Sequence, residues 1–191
     1  MTDLTPITAL GGTVARSEDF GVLRLTEQPD LSLASLSLRK GQGVPSPFGL
    51  TLPGVGQSSQ AGEYGAFWIG RDQWMIEAQG TQDIAAMLKA EVPEASVTEQ
   101  TDGFATFEIS SAGGAGPLEA VMRKLVNLDP QAFEPGAATR TTLEHISVFL
   151  VRRAEDRLAV IGMRTYAGAL WHALSTAARR IGAQTDGELA K

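Results

Sequence analysis

Apolar positions recur along this chain with two periods, and each period predicts elements. Leu118, Val121, Met122, Leu125 and Val126 fall at i, i+3, i+4, i+7 and i+8, one face of a helix. That helix is predicted to begin at Pro117, whose fixed φ suits a first helical position. Glu119 and Arg123 sit i, i+4 on it and can pair. Tyr166, Leu170, Leu174, Ala177 and Ile181, with Trp171 and Ala178 beside them, predict a closing helix that starts after Thr165. A third helix is expected from an N-cap at Thr81, with Asp83 in its first turn, Ile84, Met87 and Leu88 as its stripe, and Pro93 as its stop.

Period two marks the strands. Ala105, Phe107 and Ile109 alternate with Thr106, Glu108 and Ser110, which predicts one buried and one wet face. The runs 67–69 and 74–76 flank Gly70, Arg71, Asp72 and Gln73 and read as a hairpin. The runs 146–151 and 158–161 read as a second, joined by a charged connection from Arg152 to Arg157. Phe20, Val22, Leu23 and Leu25 predict a strand near the start. Leu31, Leu33, Leu36 and Leu38 predict another, irregular at Ala34 and Ser35. Residues 41–62 are rich in Gly, Pro and Ser and predict a long loop with one helical turn near Phe48 to Leu50. Strands interleaved with single helices give an α+β fold, antiparallel sheets with helices packed on them. The expected organisation is an N-terminal arm over 1–19, ordered by contact with something else, and a tail over 182–191. Between them lies one domain over 20–181, divisible into two sub-units meeting near 100–115.

Composition narrows the function. The 191 residues suit one domain, and 43% hydrophobic with 20% charged residues is ordinary for a water-soluble fold. Net charge is −6, and the excess lies in residues 1–100, with 6 basic against 12 acidic side chains. No half is basic, so binding to nucleic-acid phosphates has little support. There is no cysteine, which excludes disulfides and cysteine catalysis, and two histidines make a zinc site unfavourable. The N-terminus has no basic, apolar signal pattern, and no run reaches the ~20 apolar residues of a membrane helix. A cytoplasmic protein with no membrane contact is expected.

Candidate chemistry is sparse. Gly113, Gly114, Ala115 and Gly116 lie where a phosphate loop would sit, between strand and helix. The spacing matches no nucleotide fingerprint, and Pro117 removes a donor, so a turn is the preferred reading. Glu144 and His145 suggest an acid–base pair, but strand neighbours point to opposite faces. His172 falls on a polar helix face. Glu99, Asp102 and Glu108 are carboxylates near strands, with Asp102 and Gly103 expected as a turn. No catalytic, cofactor-binding or metal residue is assigned. Trp68 and Trp74 lie on one hairpin, where core packing is the preferred reading and an interface anchor the other, since tryptophan is enriched at binding hot spots; with Arg152 and Arg153 on the charged connection, a solvated or interface surface, they are the candidate partner interface.

The stretch from Ala66 to Trp74 (AFWIGRDQW) resembles the tryptophan-bearing hairpin of sarcosine oxidase gamma subunits. The likeness continues through the glycines and helix of 110–128, then Leu128-Asp129-Pro130-Gln131-Ala132-Phe133 and Pro135-Gly136. It ends with Thr139-Arg140-Thr141 and Arg164-Thr165-Tyr166-Ala167-Gly168-Ala169-Leu170-Trp171, covering roughly residues 20–180. The resemblance implies a non-catalytic assembly subunit of a complex of four different subunits. That complex oxidatively demethylates sarcosine to glycine, with oxygen as electron acceptor, and passes the one-carbon unit to tetrahydrofolate. It also implies that the FAD, FMN, NAD and folate sites belong to larger subunits and zinc to the smallest. This chain would then carry no cofactor, have a fold similar to the folate-binding domain of aminomethyltransferases, and meet the large alpha-type subunit. Two alternatives stand beside it: a free-standing folate-binding protein of aminomethyltransferase type, and a gamma-type subunit of a related N-methyl amino acid dehydrogenase.

Overall fold

Strand alternation decides the architecture. In β11 (Arg157–Met163), Leu158 and Val160 point one way and Ala159 and Ile161 the other, and all four are buried. A strand buried on both faces needs a layer on each side. The computed structural model, which describes residues 6–189, supplies those layers. One antiparallel sheet has six strands in the order β1 (Ser17–Phe20), β2 (Leu23–Glu27), β8 (Phe104–Ser111), β11, β10 (Ile146–Ala154) and β9 (Ala138–Leu143). The second has five, in the order β4 (Ser58–Ala61), β5 (Tyr64–Gly70), β6 (Gln73–Gln79), β3 (Leu31–Ser37) and β7 (Ser96–Glu99). Both are antiparallel throughout.

Three cores follow the layers. Leu31, Leu33, Phe67 and Met75 of the five-stranded sheet meet Val151, Ala159 and Ile161 of the six-stranded sheet. On the far side of the six-stranded sheet, Leu25, Phe107, Ile109 and Val160 pack under α2 (Ala115–Leu125) and α3 (Ala167–Leu189). Leu118, Val121 and Met122 of α2 and Leu170, Trp171 and Leu174 of α3 fill that layer. On the far side of the five-stranded sheet, Ala34, Leu36, Trp74 and Ile76 pack under Ile84 and Leu88 of α1 (Ile84–Glu91). The α+β class is as the sequence predicts.

Several local expectations shift. The α1 N-cap is Asp83, whose carboxylate accepts from Ala86 N at 2.9 Å, and not Thr81. Met87 of its expected stripe is 38% exposed. The first predicted strand is a hairpin turning at Gly21 and Val22, and β3 pairs without a break through Ala34 and Ser35. α2 begins two residues before Pro117. Tyr166 lies outside the buried stripe of the last helix, 48% exposed.

The long loop contains β4 and a 3-10 turn at Pro47–Gly49. It lies against its own sheet, with Leu50 and Leu52 buried and Trp74 Nε1 donating to Pro53 O at 2.8 Å. The segment expected as an arm is also engaged. Glu27, 2% exposed, accepts from Leu10 N at 3.1 Å and from Arg16 N at 3.2 Å. β1 begins at Ser17, and the helix of the expected tail runs on to Leu189. Residues 1–5, 190 and 191 of those two segments lie outside the described residues.

Candidate functional site

A carboxylate and a guanidinium sit where the two sheets face each other. On β10, Val148 and Leu150 point to the helices and Phe149 and Val151 to the other sheet, so Arg153 also points between the sheets. There it makes a two-point ion pair with Glu77 of β6, through Nη1 to Oε1 and through Nη2 to Oε2, the latter at 2.9 Å. Glu108 of β8 approaches Arg153 Nε at 3.6 Å. The Arg153 and Glu77 side chains are 9% and 6% exposed. Burial pulls the Arg153 pKa down, but attraction and hydrogen bonding from Glu77, with attraction from Glu108, more than offset it. The group is held above the ordinary arginine value.

Gly65, paired with Glu77 across β5 and β6, makes room for this arrangement. A Cβ on Gly65 would sit 2.6 Å from Glu77 Oε1. Sequence reasoning did not single out Glu77. The available signal was one carboxylate inside the apolar run from Trp74 to Ala78. Nothing local says that an arginine 76 positions away closes on it.

Three of the four predicted interface residues turn inward. Arg152 and Arg153 belong to β10, and the connection is only Glu155 and Asp156. The strands continue past 151 because backbone pairing persists to Ala154 across a bulge. Arg152 is 2% exposed and lies on the helix side. Its Nη2 donates to Glu155 O at 2.5 Å, while Nε and Nη1 have no hydrogen-bond partner among the described residues. Burial lowers its pKa, opposed by Glu119, Glu155 and Asp156. Trp74 is 6% exposed and bonded to the loop. Trp68 is half-buried against the α1-side core. Three of the four candidates therefore place their side chains inside this chain, leaving Trp68 alone with surface to offer.

The two histidines and the glycine run form no site together. Glu144 and His145 are the two turn residues of the β9–β10 hairpin, with φ of 43° and 70°, as a type I′ turn requires. Both are exposed. His172 is exposed on α3. Gly113 and Gly114 form the turn into α2, with Gly114 as its N-cap. Among the described residues no three His, Asp or Glu side chains gather to hold a metal ion.

These layers define the protein's class by fold: an antiparallel two-sheet α+β domain of the kind found in two solved structures. One is a chain of heterotetrameric sarcosine oxidase from Corynebacterium sp. U-96, determined in complex with pyrrole 2-carboxylate. Its TM-score is 0.69 at 18% identity, covering 86% of this chain and 88% of that one. The other is the glycine cleavage system aminomethyltransferase T of Bartonella henselae. Its TM-score is 0.57 at 16% identity, covering 80% of this chain. This chain spans only about half of that transferase, 48% of its length. No family model and no curated protein matches the sequence. At these identities the likeness establishes a shared fold.

Proposed function

We propose that this chain is the gamma-type assembly subunit of a sarcosine oxidase-like complex. In this reading it carries no cofactor and no catalytic residue, and larger partner subunits hold the flavins, NAD and folate. The observation that supports it most is reciprocal coverage. The fold accounts for nearly the whole of a chain in a heterotetrameric oxidase, but only about half of an aminomethyltransferase. The polar groups agree with that role. Glu77 and Arg153 pair with each other and Glu27 holds Leu10 N and Arg16 N, so these buried charges serve the fold of the chain itself.

Partner capture tests this. The affinity-tagged full chain is expressed in its source cells and purified at moderate salt. The expected eluate is yellow, contains larger chains, and consumes oxygen when sarcosine is added, while the chain alone is colourless. A colourless eluate without larger chains overturns the reading. Binding of tetrahydrofolate by the isolated chain would favour the transferase-like alternative.

A further inference from the structure

Between the ordered N-terminal segment and one end of the five-stranded sheet runs a groove of about 680 Å³. Among the described residues its lining carries four carboxylates, Asp30, Asp83, Glu99 and Asp102, against one cation, Arg164. All four acidic residues are exposed. Asp83 caps α1 and Glu99 accepts from Thr101 N at 2.6 Å, yet none of the four has an ion-pair partner among the described residues. Arg164 turns its guanidinium to Ile7 O at 2.9 Å, closing the groove with the N-terminal segment. Other acids of the chain do find cations: Asp19 pairs with Arg24, Glu119 with Arg123, and Glu77 with Arg153. The half of the sequence that forms most of this lining is also the half that holds the acidic excess.

Two large apolar side chains stand exposed in the lining, Ile7 at 58% and Val14 at 76%. A small cation inside the groove would leave these side chains in water. A polypeptide bearing lysine or arginine next to apolar residues would neutralise the acids and cover these two side chains together. The wall is also fixed in advance, because Glu27 holds the segment through Leu10 N and Arg16 N. Little ordering free energy is then lost on binding.

We infer that this groove is the docking site for a basic, partly apolar segment of a partner protein. The inference rests on the assembly reading above for the partner's identity and names the face through which assembly occurs. Trp68, the one earlier interface candidate with surface to offer, does not line this groove.

The probe is a fluorescein-labelled peptide of alternating lysine and leucine, followed by anisotropy against the full chain, with a glutamate–leucine peptide as control. The lysine peptide should bind, more weakly as salt rises, and the glutamate peptide should not. Asp30→Asn/Glu99→Gln/Asp102→Asn should weaken binding by about tenfold with unchanged melting, since Asp83 and its cap are left intact. Ile7→Ser/Val14→Ser should weaken it independently of salt. No binding, or equal binding by the charge variant, overturns the docking site.

Partner capture with the same charge variant separates the two ideas. If the wild-type chain captures flavoprotein and the variant captures it equally, the groove assignment falls and the assembly reading stands. If the lysine peptide binds through the groove but no flavoprotein is captured, the assembly reading falls and the groove stands.

Discussion

Removing the Glu77 carboxylate asks how much of the contact between the sheets depends on charge. In Glu77→Ala, Arg153 keeps one acidic neighbour, Glu108, which approaches at 3.6 Å and is itself 23% exposed. The guanidinium stays between the sheets, because its strand is fixed by pairing to β9 and β11. Breaking a buried pair from one side typically costs about 3–5 kcal/mol, since the remaining charge is left uncompensated. Glu108 compensates partially, so about 3 kcal/mol is expected here. Glu77→Leu/Arg153→Met removes both charges and should fall within about 1 kcal/mol of wild type, because hydrophobic replacement of a buried pair is often neutral. Gly65 leaves space for the leucine.

The assay is urea unfolding followed by tryptophan fluorescence, with Trp68 and Trp74 reporting on the five-stranded sheet and Trp171 on α3. An unchanged slope with a lower midpoint identifies lost stability rather than a changed unfolded state. The pH dependence carries a sign. The folded pKa of Arg153 is raised, so the stability it contributes is complete below the ordinary arginine value and is lost only as pH rises through the folded one. Its own titration therefore leaves stability flat between about pH 6 and 10. Unfolding of Glu77→Ala within about 1 kcal/mol of wild type, or a double variant as unstable as the single one, would refute the reasoning.

Two further outcomes are expected. Leu170 is fully buried and faces Gly162, where an added Cβ would sit 2.5 Å from Leu170 Cδ1. Leu170→Ala should cost about 2–5 kcal/mol and Gly162→Ala about 1–3 kcal/mol, while the double variant should cost less than their sum in thermal melts. Arg152→Met should leave the chain as stable as wild type or about 1 kcal/mol more stable, because two buried donors without partners are removed. A loss above about 2 kcal/mol in urea titration would mean that those donors are satisfied in solution.

Local periodicity made much of the fold legible. The α2 stripe of Leu118, Val121 and Met122, the alternation of Phe107 and Ile109 in β8, and the hairpin about Arg71 and Asp72 are each set by side chains a few residues apart. Helix and strand geometry convert such spacing directly into a face. The two-sheet stack was not legible, because it erases the alternation that marks a strand with one wet face. Leu158 to Ile161 reads as an unbroken apolar run since helices cover one side and a sheet the other. The same stacking reversed the reading of Arg152 and Arg153. By sequence they sit in a charged, turn-like stretch; in the fold the sheets and helices close over them, and Glu77, 76 residues away, takes up Arg153. The groove depends on contacts still further apart, since Arg164 and Ile7, 157 residues apart, form its corner. Charge composition fixed only that acids are in excess in the first hundred residues; tertiary packing decided which of them pair inside the chain and which remain free at its surface.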